Sequence, residues 1–192
     1  MARPKTFDRS DVLTRAMEVF WDKGFEQTSI EDLVRTMGIS RASLYDTFGS
    51  KDALMFEAMD CYVARMKQQF LDTLRQPGPA RTVIEQVFLD FIESGFTGDS
   101  RGCLVAKSAL MTGRTNREIM DRVCAFMSLV EDSFHELVAR GQRSGELPSG
   151  GDPRAIARFL VNALQGLSIT GCARAQPDTL RDVVAITLSV LG

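Results

Sequence analysis

The stretch MGISRASLYDTFGSKDAL, Met37–Leu54, follows directly on TSIEDLVRT, Thr28–Thr36. Its apolar residues come in short bursts, broken by glycines and small polar residues. In the first segment Ile30, Leu33, Val34 and Met37 fall at i, i+3, i+4 and i+7 behind Ser29, which predicts a short capped helix over Ile30–Met37. Gly38 stops it, and Ile39 and Ser40 complete a turn. Ser40 then caps a third helix over about Arg41–Phe48. Gly49 ends that helix, Ser50 caps again, and a long helix runs from Lys51 to about Leu74. Two helices of about two turns each are too short for core helices. Helix, glycine-containing turn, short helix is instead the pattern of a helix-turn-helix. A recognition helix needs only such a length to enter the major groove, and its outer face must stay polar. Leu44 and Phe48 are four apart and can pack inward, leaving Arg41, Ala42, Ser43, Tyr45, Asp46 and Thr47 facing outward. Geometry alone leaves a DNA reader and an ordinary helical hairpin both open.

The rest of the chain also reads as helix, and no period-2 alternation predicts a sheet, so the fold class is all-α. A first helix spans about Asp8–Lys23, with Asp8 as cap, Val12, Leu13, Ala16, Met17, Val19 and Phe20 as its stripe, and Gly24 at its end. QPGPA, Gln76–Ala80, is the clearest break in the first half. Further helices are predicted over about Arg81–Phe96, Gly102–Thr112, Asn116–Ser144, Pro153–Ala175 and Thr179–Leu191, separated by the polar tracts TGDSRG and SGELPSGGDP. Asp152 followed by Pro153 is a helix start.

The composition narrows the function class. The chain has 192 residues, 44% of them apolar, which suits one compact domain or a small domain joined to a larger one. No apolar run approaches the roughly 18 residues of a membrane span, and MARPKTF has no apolar run behind its cations, so the chain reads as soluble and cytoplasmic. Net charge is -2, so any nucleic-acid contact must rest on a local patch. The four cysteines, Cys61, Cys103, Cys124 and Cys172, are not at CxxC spacing, and His135 is the sole histidine. No metal site or cofactor is expected. A helical enzyme fails on chemistry: there is no Ser-His-Asp set, no phosphate loop and no clustered carboxylate pair.

Over about Asp11–Leu54, VLTRAMEVFWDKGFEQTSIEDLVRTMGISRASLYDTFGSKDAL resembles the TetR (tetracycline-repressor-like) family of bacterial transcriptional regulators. The shared elements are Lys-Gly-Phe after the first helix, Thr-Ser before the second, Gly-Ile-Ser before the third, then Tyr-x-x-Phe, a glycine turn and Lys-Asp-x-Leu. The resemblance implies a DNA-binding domain over residues 1–51 and a helical effector-binding and dimerisation domain over 52–192. It also implies a homodimeric repressor on a palindromic double-stranded operator, released by a small effector or by modification of a cysteine. An effector-independent architectural DNA binder is the alternative, against which a long second domain and the acidic balance both count.

Roles follow residue by residue. Thr28 can offer a hydroxyl and Tyr45 a phenol to phosphate; Lys51 adds its charge to a helix N-terminus. Arg41 can reach guanine or phosphate, and Ser43 and Thr47 can reach bases, with Ala42 on the same face. Asp46 either accepts from a cytosine amino group, holds Arg41, or points away. Arg3 and Lys5 form either a basic arm or an ordinary tail.

In the second domain FLVNALQGLSITGCARA carries Ala163, Leu164, Gly166 and Leu167 as dimer-interface candidates beside Leu160, Ile169 and Gly171. DVVAITLSVLG holds more apolar surface than one chain of this size can cover. A mostly apolar effector is expected between helix four and the middle helices, at Phe56, Met59, Phe88, Phe91, Met111, Met120 and Met127, with Met66, Ile92 and Phe126 nearby; each can equally be plain core. Cys103 in SRGCLVAKSAL stands at a helix start beside Arg101, where a thiolate is favoured; the resemblance implies either electrophile or oxidant sensing or packing there. Cys61, Cys124 and Cys172 read as shielded among apolar neighbours, and His135 as a surface or core residue.

Overall fold

Side-chain caps and glycines punctuate this chain into helices, and the computed structural model shows where each begins and ends. It describes residues 7–96, 101–112, 116–173 and 176–192. Among them are nine α-helices, a final 3-10 turn at Ser189–Leu191 and no strand. The helices are α1 Arg9–Lys23, α2 Ile30–Met37, α3 Arg41–Phe48, α4 Lys51–Leu74, α5 Ala80–Phe96, α6 Leu104–Thr112, α7 Arg117–Ser144, α8 Pro153–Cys172 and α9 Pro177–Leu188.

The first three boundaries follow from local chemistry. The Asp8 carboxylate accepts from the Ser10 and Asp11 N–H groups and starts α1. Ser29 and Asp32 form a reciprocal capping box on α2, whose far end is closed by Gly38 at φ 69°. The Ser40 hydroxyl accepts from the Ser43 N–H and starts α3. Farther on, α6 begins at Leu104 rather than Gly102, because Gly102 has φ +66° and lies outside helical geometry. The last long helix begins at Pro177, two residues before the predicted start, since proline suits the first helical position.

The chain packs as two compact units. One comprises the described residues up to Arg65 together with 107–123; the other comprises 66–106 and 124–192. The division falls inside α4, α6 and α7, each of which contributes residues to both.

In the first unit Ala16, Phe20, Leu33, Leu44, Leu54 and Met59 are fully buried. Burying side chains of this size contributes about 1.5–3 kcal/mol each for the larger ones. A Cβ on Gly24 would lie 2.8 Å from the Met111 methyl, and its φ of +78° also favours glycine. Lys107 Nζ donates to the Trp21 and Asp22 carbonyls at 2.7 and 2.9 Å, so an α6 cation satisfies the C-terminal turn of α1.

In the second unit α5, α8 and α9 pack on one another. Phe134 of α7 stacks on Phe88 at 6.2 Å and meets Phe70 edge-on at 5.5 Å. Arg154 of α8 pairs with Glu131 and Asp132 of α7 at 3.3 and 2.5 Å. Arg81 of α5 donates to the Leu188 carbonyl at 2.9 Å and to the Gly192 carbonyl.

Asp32 joins three constraints in the first unit. It accepts from the Ser29 N–H and hydroxyl and pairs with Lys23 at 2.7 Å and Arg35 at 2.8 Å. The Lys23 ammonium, then the two Ser29 donors, hold its carboxyl well below the usual carboxylate range. A depressed folded-state value stabilises the fold above the unfolded value of about 3.9 and loses that contribution as pH falls. Asp32→Asn is therefore expected to lower the urea midpoint at pH 7 and to show a clearly smaller deficit near pH 2. An equal deficit at both pH values would contradict this.

Candidate functional site

The helix-turn-helix gets its orientation from two buried residues. Leu44 and Phe48 are 0% and 5% exposed, so one side of α3 is committed to the interior. Helical periodicity then turns Arg41, Ala42, Tyr45 and Asp46 outward, and all four are exposed. Arg41 Nη1 donates to Glu31 Oε1 at 3.2 Å, and its guanidinium lies 5.9 Å from the Tyr45 ring centroid. Both members of that ion pair are exposed, so it is a weak tether. Lys51 opens α4, and its Nζ sits 4.4 Å from the Phe25 ring centroid. That contact steadies a cation at a helix N-terminus, a geometry suited to phosphate.

The structure places the other expected residues differently. Thr28 is 1% exposed, and its hydroxyl donates to the Gly24 carbonyl at 2.6 Å. A hydroxyl has one proton, so in this arrangement the side chain closes the α1–α2 turn. The Thr47 Oγ1 atom is buried without a partner among the described residues. Ser43 is half-buried, its hydroxyl 2.9 Å from that of Ser40. Glu31, not Asp46, holds Arg41; ten residues and a turn separate them, and no periodicity announces such a pair. Arg3 and Lys5 lie outside the described residues.

A cavity of about 320 Å³ lies in the second unit. Met66, Gln69, Phe70, Asp72 and Thr73 of α4 line it with Val87, Asp90 and Phe91 of α5 and Leu164 of α8. Of the expected effector residues only Phe91, with its neighbour candidate Met66, reaches it. Phe88 is fully buried against Phe134, Met127 accepts a bond from the Gln165 amide at 3.4 Å, Phe126 is buried and Ile92 half-buried. Phe56, Met59, Met111 and Met120 belong to the first unit: Phe56 lies under the Arg122 guanidinium at 4.8 Å, Met59 is fully buried, Met111 is exposed and Met120 half-buried. The cavity's polar members were missed, although a signal existed. Residues 66, 69, 70 and 73, and 87, 90 and 91, are spaced as helix stripes, with Gln, Thr and Asp at positions an apolar core would fill.

The dimer candidates divide as well. Leu164 and Leu167 are 5% and 0% exposed and face the interior, while Gly166 is exposed and Ala163 half-buried. The outward side of α8 carries Phe159 and Ile169; α9 and the last turn expose Val183, Ile186 and Val190.

Cys103 immediately precedes α6. It is buried, and its N–H donates to the Ser168 hydroxyl at 2.8 Å. Gly102 beside it is packed so closely that a Cβ would lie 2.3 Å from the Cys172 sulfur. Cys124 and Cys172 are exposed and Cys61 half-buried, which reverses the expected order of shielding. His135 is half-buried, its Nδ1 3.2 Å from Arg154 Nη2. No group of three or more His, Cys, Asp or Glu side chains among the described residues is placed to hold a metal, and no described helix is long and apolar enough to cross a membrane.

Residues 12–58 match the model of the tetR family of bacterial regulatory proteins. The whole chain is 32% identical over 193 residues to YezE of Bacillus subtilis (strain 168), an uncharacterised HTH-type transcriptional regulator, with 100% of both chains covered. This chain belongs to the TetR family. It is an all-helical DNA-binding transcriptional regulator and not an enzyme. It is also 28% identical to ComR, an HTH-type transcriptional repressor of Escherichia coli (strain K12), over 97% of this chain and 90% of ComR. Its structure matches that of CifR at a TM-score of 0.90 and 32% identity, covering 100% of both chains; that structure is a cysteine-substituted CifR complexed with 26-bp double-stranded operator DNA.

Exposure of Cys124 yields a direct check. In the native protein Cys124 should be carboxamidomethylated before Cys103, with the order collapsing in urea. Peptide mass spectrometry at timed intervals reads this out, and prior labelling of Cys103 would contradict the packing described.

Proposed function

We propose that this regulator is a homodimeric repressor that reads a palindromic operator with the outward face of α3 and the start of α4. Residues 1–51 supply the reading head and residues 52–192 the effector and dimer functions. The observation that carries the reading is the combination of buried Leu44 and Phe48 with exposed Arg41, Ala42, Tyr45 and Asp46 and a steadied Lys51. Tyr45 and Lys51 have the chemistry to position the duplex through phosphates, and Arg41 to reach a base edge once it leaves Glu31. Ser43 is within the same face. The operator complex of CifR supports the same use of double-stranded DNA here.

One recognition helix makes too few contacts for operator affinity, so two copies are needed, their helices about 34 Å apart or a multiple of it. Phe159, Gly166 and Ile169 on α8, with Val183, Ile186 and Val190 at the end of the chain, form the apolar surface suited to a second copy. Gly166 has no atom within 4 Å of where its Cβ would stand, so that surface is open in the single chain. The effector enters the second-unit cavity. A second input is modification of Cys103: an adduct on a buried sulfur beside Gly102 and Ser168 has no room without repacking.

Lys51→Ala should weaken binding on all duplexes alike and reduce the salt slope by about one. Tyr45→Ala should also lower operator affinity, both with unchanged melting. Full affinity in both variants, measured by fluorescence anisotropy on DNA flanking the regulator's own gene, would reject this reading face. Gly166→Arg is expected to give monomer or aggregate in sedimentation and to lose operator binding; an unchanged dimer would put the interface elsewhere.

A further inference from the structure

The second-unit cavity has apolar walls and one sign of charge. Met66, Phe70, Val87, Phe91 and Leu164 supply the walls, whereas Asp72 and Asp90 are its only charged lining residues among the described ones. No Lys, Arg or His among the described residues lines it. Asp72 is exposed, while Asp90 is half-buried beside Thr73, itself 7% exposed.

The bonding of Asp90 orients its carboxylate without neutralising it. Thr73 Oγ1 donates to Oδ2 at 2.6 Å and the Gln86 amide donates to Oδ1 at 2.7 Å. Both donors are neutral, and no cation among the described residues lies within ion-pair distance of Asp90. Each carboxylate oxygen keeps further acceptor capacity. The Thr73 proton is already shared between Asp90 and the Gln69 carbonyl at 3.2 Å, so Thr73 offers an incoming ligand no donor.

These facts select among ligand classes. An anionic ligand would meet two carboxylates with no cation opposite. A neutral apolar ligand would fill the walls but strip water from Asp90 without replacing it, which is unfavourable for a charged group. A ligand with an apolar body and one positive charge matches both parts: rings or alkyl chains against Phe70, Phe91 and Leu164, and an ammonium on Asp90 through a charge-assisted hydrogen bond.

We propose that the effector of this regulator is an apolar organic cation, with Asp90 as its counter-charge. The proposal rests on the reading that this cavity is the effector site, and it departs from the mostly apolar effector expected from the sequence.

The test uses three probes of one shape and different charge: phenylbutylammonium, phenylbutanol and phenylbutyrate. Calorimetry on the full-length wild type at pH 7 should show the ammonium binding about tenfold or more tightly than the alcohol, as for a hydrogen bond to a charged group, and the carboxylate more weakly still. NMR cross-peaks from its phenyl ring should fall on Phe91 and Leu164. In Asp90→Asn the ammonium should drop to the affinity of the alcohol, whose own binding stays within about twofold. Because the wild-type comparison and the cross-peaks need no variant, a failure of Asp90→Asn to fold leaves the test intact. Equal affinities for the three probes, binding of none of them, or cross-peaks elsewhere would overturn the proposal. Operator release is read separately. Charge-selective binding in the cavity without release of DNA would uphold the cavity's selectivity and overturn its role as the effector site.

Discussion

Burial of Leu44 and Phe48 is the constraint on which the DNA-reading unit turns. The two residues are four apart on a helix of eight, so together they fix the roll of α3 about its axis. Once they are inside with Phe20, Leu33 and Met37, no freedom remains in which residues face outward. Arg9 of α1 lies over the Phe48 ring at 4.9 Å, so the first helix also touches this anchor. An outward face of four residues is thereby held on a scaffold of close-packed methyl and phenyl groups, and the precision of the face is that of the core beneath it.

The turns around this anchor are closed by bonds that occupy the short hydroxyl side chains. Thr28 ties its hydroxyl to Gly24, and Ser43 shares a hydrogen bond with Ser40. Small hydroxyl residues near a recognition helix serve the backbone first, because the unsatisfied N–H and C=O groups at helix ends are many and close. On the proposed reading, the contacts left for DNA come from the longer side chains of Arg41, Tyr45 and Lys51.

The second unit uses polar residues differently. Thr73, Gln86 and Asp90 form a small network beside apolar walls, and each member is satisfied by another. Such a network is favourable only when complete, since an unpaired polar group in a low-dielectric surrounding is costly. Its charge, however, is not cancelled, which separates a carboxylate built to meet something from one built only to hold helices together, as Glu131 is between Arg154 and Arg158.

Most of the architecture was legible in the linear chain. Caps such as Asp8, Ser29, Ser40 and Asp152, and stops such as Gly24, Gly38 and Gly49, act within a few residues, so local order reveals them. Leu44 and Phe48 were readable as the inner face of α3 for the same reason: one helical turn is a local distance. The division of α8 was not. Leu160, Leu164 and Leu167 face inward while Phe159 and Ile169 face outward, and a helix apolar on both sides does not state which side its own chain covers. Nor were the Glu31–Arg41 pair, the burial of Cys103 against Ser168, or the approach of Thr73 to Asp90. These join residues 10, 65 and 17 apart, and their meeting depends on how whole helices are packed. Periodicity assigns faces to each helix; only packing decides which faces meet, and with that which polar groups are left to a ligand.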